Sequence, residues 1–146
     1  VREKKIHTLW FEAHYMYRKK LASFAEQFAP AKVKFRCGVE TFDTALREAW
    51  KKGIPSSVSV QDIAQHFQGI CLLCCTQGET KEHIQKDIEL AKAHFEYFSV
   101  NVFCDNHTPI KQDKELASWF AKEVYPMIKD DPRIEVLMEN TDLGVG

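Results

Sequence analysis

The chain has 146 residues, of which 45% are hydrophobic, a formal net charge of −1 and an isoelectric point near 6.6. That length fits one domain, residues 1–146, with enough apolar material for a buried core. The basic residues gather only in short clusters, Arg18-Lys19-Lys20 and Lys51-Lys52, which excludes a nucleic-acid stripe, and no apolar run reaches membrane-spanning length, so neither partner is expected.

Ile6–Glu12 is aromatic and β-rich and predicts a strand. Tyr15–Phe28 carries Leu21, Phe24, Ala25 and Phe28 at helical spacing and predicts one helix that stops before Pro30. Val33–Val39 alternates Val33, Phe35, Cys37 and Val39 against Lys34, Arg36 and Gly38, so the first set packs under helices and Lys34, Arg36 and Glu40 face the other way. Asp43 caps a helix expected to bury Leu46, Ala49 and Trp50 and to end at Gly53. Val60–Phe67 reads as a short helix. Gly69–Cys75 is nearly unbroken apolar sequence and predicts a central strand covered on both faces. Thr80 caps a helix with Glu82 in its first turn and Ile84, Ile88, Ala91 and Phe95 as its stripe. Tyr97–Cys104 is a fourth strand. Asp113–Ile128 is a helix with Leu116, Phe120, Val124 and Met127 on one face, and Ile134–Met138 is a fifth strand.

The recurring unit is βα at a spacing of roughly thirty residues, which implies an α/β fold with parallel strands and right-handed crossovers. A closed eightfold barrel needs roughly 250 residues. The expectation is therefore four or five mostly parallel strands with outer helices, either a small open sheet or a partial (β/α) barrel, a TIM-barrel-like half barrel. The chain opens on Val1 and ends at Leu143-Gly144-Val145-Gly146, and is expected to be an excised piece of a longer protein.

Glu40 sits at the carboxyl end of its strand, where ligand-binding groups collect in parallel α/β folds. Arg36 is expected to pair with Glu12, Glu40 or Glu139 and to support the fold. In Gln77-Gly78-Glu79-Thr80, Gly78 allows a ligand close to the backbone, although ordinary turn chemistry explains the same residues. Asn101 breaks an apolar strand and faces the lumen beside Ser99, with the loop Asp105-Asn106-His107-Thr108-Pro109 as a rim. Glu40, Arg36, Asn101 and the Gly78 turn are expected in one cleft.

The five cysteines, Cys37, Cys71, Cys74, Cys75 and Cys104, are odd in number and lack scaffold spacing, which argues for a reducing, cytoplasmic setting. Cys71 and Cys74 form a lone C-x2-C, but a zinc site needs a second ligand pair, and on a strand the two point to opposite faces. They read as buried, inert thiols. The six histidines match no metal motif.

Gly38-Val39-Glu40-Thr41-Phe42-Asp43 resembles the G-V-(Q/E)-(S/T)-F-D segment of the radical S-adenosylmethionine enzymes. Gly69-Ile70-Cys71-Leu72-Leu73 leading to Gln77-Gly78-Glu79-Thr80 is similar to the family's next strand and its P-G-(E/Q)-T turn, with Gln77 in place of the proline. Val100-Asn101-Val102-Phe103 is similar to its last core strand. The resemblance spans most of Ile6–Cys104. It implies the later part of a partial barrel whose nucleoside- and methionine-binding wall includes Glu40, Arg36, Gly38, Thr41, Gly78 and Asn101. It also implies a parent that binds S-adenosylmethionine and a [4Fe–4S] cluster and cleaves the former to a 5′-deoxyadenosyl radical. The C-x3-C-x2-C cluster motif is absent from this chain. On this reading the cluster belongs to an upstream part of the parent, the fragment alone is inactive, and its natural partner is the missing N-terminal half of the barrel.

Two other readings use the same residues. One is a self-contained small α/β binding or interaction module. The other is a barrel fragment of a lyase or hydrolase using Glu40 and Glu12 as acid and base, which requires a pKa gap between them. In isolation, unpaired sheet edges predict a homodimer.

Overall fold

The computed structural model describes residues 5–138. Five strands, β1 (Thr8–Glu12), β2 (Lys32–Glu40), β3 (Gly69–Cys74), β4 (Tyr97–Val102) and β5 (Ile134–Leu137), form one sheet in sequence order. Every pairing is parallel. With helices filling the crossovers, this is an α/β half-barrel, as the βα recurrence predicts.

The helical face carries the core. Phe35, Cys37 and Val39 of β2, Ile70, Leu72 and Cys74 of β3, and Phe98, Val100 and Val102 of β4 are all buried in one apolar cluster. Against them pack α3 (Val60–Ala64) through Ile63 and α4 (Lys81–His94) through Ile84, Ile88 and Ala91. Thr80 caps α4 as expected, its hydroxyl accepting from the His83 N–H at 3.2 Å. None of the described helices is long and apolar enough to cross a membrane.

Three local expectations need correction. Tyr15–Phe28 is not one helix: a 3₁₀ turn, Tyr15–Lys20, leads into a short α1 (Leu21–Glu26). His14 starts the tight turn by accepting from the Met16 N–H at 3.1 Å. In α2 (Thr44–Ala49) the buried side chain is Arg47, while Ala49 is exposed and Leu46 and Trp50 are only partly covered. Arg47 folds under the following loop and donates to the carbonyls of Pro55 (3.0 Å) and Val58 (3.4 Å).

The third correction is in the last helix. α5 (Lys114–Trp119) passes through a π-helical turn, Phe120–Val124, into α6 (Tyr125–Ile128). The wider turn moves the buried position on by one residue, so Ile128 enters the core and Met127 is 82% exposed.

β2 and β3 both end in a left-handed residue that is not glycine: Glu40 closes β2 at φ 71°, and Cys75 follows β3 at φ 68°. Such backbone costs about 1–3 kcal/mol per residue and gathers at functional sites.

Candidate functional site

Parallel pairing with a steady stagger lays the inner-face side chains in rows. One row is Glu12–Arg36–Gly69–Tyr97 and the next is Gly38–Cys71–Ser99–Glu135. Above them stand Leu73, Asn101 and Leu137, and below lie Trp10 and Lys34.

The lowest layer is aromatic. The Trp10 indole lies over Gly69, where a β-carbon would stand 3.1 Å from the ring and 2.8 Å from the Tyr97 carbonyl oxygen, so only glycine admits the ring. Trp10 and Tyr97 have centroids 5.7 Å apart at 48°. The Lys34 ammonium stands 5.5 Å from the indole centroid and pairs with Glu96.

Next comes a charged layer. Arg36 holds Glu12 at 2.7 Å and reaches Glu135 at 3.7 Å. The Tyr97 hydroxyl donates to the same Glu135 oxygen at 2.7 Å, and burial, together with that carboxylate, pushes Tyr97 up to about 12. Of the partners expected for Arg36, only Glu12 is found. Glu40 is bound elsewhere and Glu139 lies outside the described residues. Glu135 escaped the sequence reading, although alternation along β5 places it on this face. Trp10, Phe11, Glu12, Arg36 and Tyr97 line a cavity of about 330 Å³.

Gly38, Cys71 and Ser99 form a layer of small residues. Here Glu40 returns to the inner face. The register shifts between Gly38 and Glu40, leaving Val39 as a bulge, and the Glu40 carboxylate folds back to within 3.5 Å of where a Gly38 β-carbon would be. Lys52 reaches Glu40 at 3.3 Å. Burial raises the Glu40 carboxyl above its ordinary value and Lys52 opposes the shift. Glu12 and Glu40, an acid–base pair in one reading, are each held by a separate cation. Asn101 Oδ1 is buried without a partner among the described residues, and Ser99 Oγ has only a weak contact with the Cys71 thiol.

Thr41 and Gly78 do not join this face. Thr41 is fully buried toward α4, where its hydroxyl donates to Asp87 Oδ2 at 2.7 Å, so it is not presented to a ligand in the lumen. Gly78, at φ 96°, sits in an exposed turn outside the lumen cavity, with nothing within 4 Å of its would-be β-carbon. The single cleft expected for Glu40, Arg36, Asn101 and the Gly78 turn is therefore not formed as such: the first three face the lumen and the turn lies beyond it.

That turn is closed from inside by Glu79, the carboxylate of its Gln77-Gly78-Glu79-Thr80 segment. Glu79 accepts from the Thr76 N–H (2.9 Å) and hydroxyl (2.8 Å), and its other oxygen is buried without a partner among the described residues. Burial pushes Glu79 up to about 7, against the pull of the Thr76 bonds and with a further push from Asp87. Asp87 also accepts from the Phe42 N–H at 2.9 Å. The signal was present: Asp87 occupies a core-facing position in the Ile84, Ile88, Ala91 stripe.

Cys37, Cys71 and Cys74 are held as protonated thiols. Burial pushes Cys71 up to about 11 and Cys37 to about 12, and Cys74, facing Cys75 at 3.6 Å between sulfurs, rises well above its ordinary value through that contact and burial. Ligation and attack need the thiolate. Among the described residues no three His, Cys, Asp or Glu side chains converge in a way that could hold a metal ion.

A solved structure shares this architecture. It is a queuine lyase from Clostridium spiroforme, bound to SAM and queuine. The two are 38% identical with a TM-score of 0.89, over 99% of this chain and 62% of that one. The chain thus spans about six-tenths of the length of that protein. No protein-family model and no curated protein matches the chain.

Proposed function

We propose that this chain forms one wall of a (β/α) barrel enzyme of the radical S-adenosylmethionine type, acting on queuine or a related base. The observation that carries this reading is the 38% identity, sustained over 99% of the chain, with a queuine lyase bound to SAM and queuine. The inner face fits the cofactor. Glu40 and the unpartnered Asn101 Oδ1 supply acceptors for its hydroxyl and ammonium groups near the carboxyl rim. Gly38 leaves the space between them and the charged layer open.

Bound S-adenosylmethionine would supply the reactive sulfonium group, and the residues of this chain orient it and limit its contact with water. A [4Fe–4S] cluster does not fit the described residues: no three candidate ligands converge among them, and Cys37, Cys71 and Cys74 are buried and held protonated. Its ligands are assigned to a part of the whole protein outside this chain. The chain alone accordingly binds S-adenosylmethionine without turning it over, in a cytoplasmic protein.

Calorimetric titration with S-adenosylmethionine tests the reading. Binding is expected in the unaltered chain, and at least about tenfold weaker binding in Gly38→Ala, whose methyl enters the space beside Glu40. Gly38 lies in a strand at ordinary φ, so the melting temperature should hold or rise slightly. No binding, or equal binding by both proteins, would overturn the proposal.

A further inference from the structure

We infer that the charged and aromatic floor of the inner face is the seat of a planar, donor-rich heteroaromatic base, stacked on Trp10 and Tyr97 and read by Glu12 and Glu135. The inference rests on the proposed function for the class of occupant and on the geometry for its place.

The floor groups one guanidinium with two carboxylates, a net charge of −1. Glu12 uses Oε1 for Arg36 and Cys71, and Glu135 uses Oε2 for Tyr97 and Arg36. The second oxygen of each has no partner among the described residues. Two open carboxylate oxygens and the guanidinium between their side chains offer a ligand two acceptors and a donor. A 2-amino-4-oxo ring matches that set along one edge: two adjacent donors, the ring N–H and the exocyclic amine, for the carboxylates, and a carbonyl at the end of the edge for Arg36. Adenine lacks that edge, since its ring nitrogens would turn lone pairs toward the carboxylates. The nucleoside of S-adenosylmethionine is thereby directed to the rim and the base to the floor.

Size and surface agree. The cavity of about 330 Å³, lined by Trp10, Glu12, Arg36 and Tyr97 among others, lies at the low end of the range for small-ligand pockets, about 300–1,000 Å³, and suits one bicyclic ring; Glu135 adjoins it through its contacts with Arg36 and Tyr97. Trp10 remains 42% exposed although it stands on the inner face, so part of the indole is free for stacking.

The test titrates the 146-residue chain with 7-deazaguanine and with 7-deazahypoxanthine, which lacks the exocyclic amine, following tryptophan emission and heat. The expected result is saturable binding of 7-deazaguanine, about tenfold weaker binding of the analogue, and convergence of the two affinities in Glu135→Ala or Glu12→Ala, which remove the accepting oxygens. In Trp10→Phe the emission change should vanish while heat of binding remains. The ratio of affinities is read on whatever fraction of a variant folds, so partial unfolding cannot imitate convergence. Equal affinity for the two bases in the unaltered chain, a ratio retained in both Glu135→Ala and Glu12→Ala, or no saturable binding of 7-deazaguanine would each overturn the assignment. S-adenosylmethionine bound without the base defeats this subsite and leaves the proposed function standing. The base bound without S-adenosylmethionine does the reverse.

Discussion

Glu79 carries its carboxylate into the protein, and its chemistry there has a measurable sign. Its folded value of about 7 lies above the ordinary 4.5. Between those values the native chain binds more protons than the unfolded chain, so stability falls as pH rises through that window. Asp87, also raised, acts in the same direction. Replacing Glu79 by Gln keeps an oxygen for the two Thr76 bonds and removes the buried charge. We expect the unaltered chain to melt lower at pH 8 than at pH 5, and Glu79→Gln to regain about 3 kcal/mol at pH 8. Thermal melts at both pH values compare the two proteins, and an equal pH gap in both would reject this account. At this scale the sequence was partly legible. Glu40, Arg36 and Asn101 were marked by strand alternation. Thr41 entered through the family resemblance rather than through alternation, and its hydroxyl turns to Asp87 instead of the lumen.

At the scale of elements, the carboxyl end of β2 is tied to α4 by Asp87, whose two oxygens take the Thr41 hydroxyl and the Phe42 N–H. Phe42 then stacks on Phe95 at the end of α4, with centroids 6.2 Å apart. Asp87→Ala would strand a buried hydroxyl and an amide together. The expected loss is about 2–4 kcal/mol, read as a lower urea midpoint, with Asp87→Asn losing less because its oxygen still accepts one bond. A change under about 0.5 kcal/mol would show that the clamp does not hold the two elements. The strands were legible because each combines an apolar run with a turn signal, and β3 reads as central from composition alone. The irregular helices were not. No residue type marks the π turn at Phe120–Val124, and the 3₁₀ start at Tyr15 depends on a histidine cap whose geometry spacing does not encode.

The whole molecule is a sheet with two margins. β1 and β5 each have one hydrogen-bonding side with no strand beside it among the described residues. Near β1 lie the exposed Ile6, Trp10, Met16 and Tyr17. Unpaired edges next to apolar surface recruit other chains. We expect the isolated chain to self-associate at micromolar concentration, and light scattering that reports a clean monomer would reject this. In the intact protein the proposed partner at that margin is the rest of its own barrel.

β1 is at once a margin of the sheet and, through Trp10, Phe11 and Glu12, a wall of the lumen cavity. A chain that pairs with the margin also shuts the side of the cavity. Occupancy and assembly then become linked quantities, each altering the other's equilibrium by the same factor. The dwell time of a small molecule on the floor would lengthen with protein concentration, and titrations at different concentrations would follow different curves.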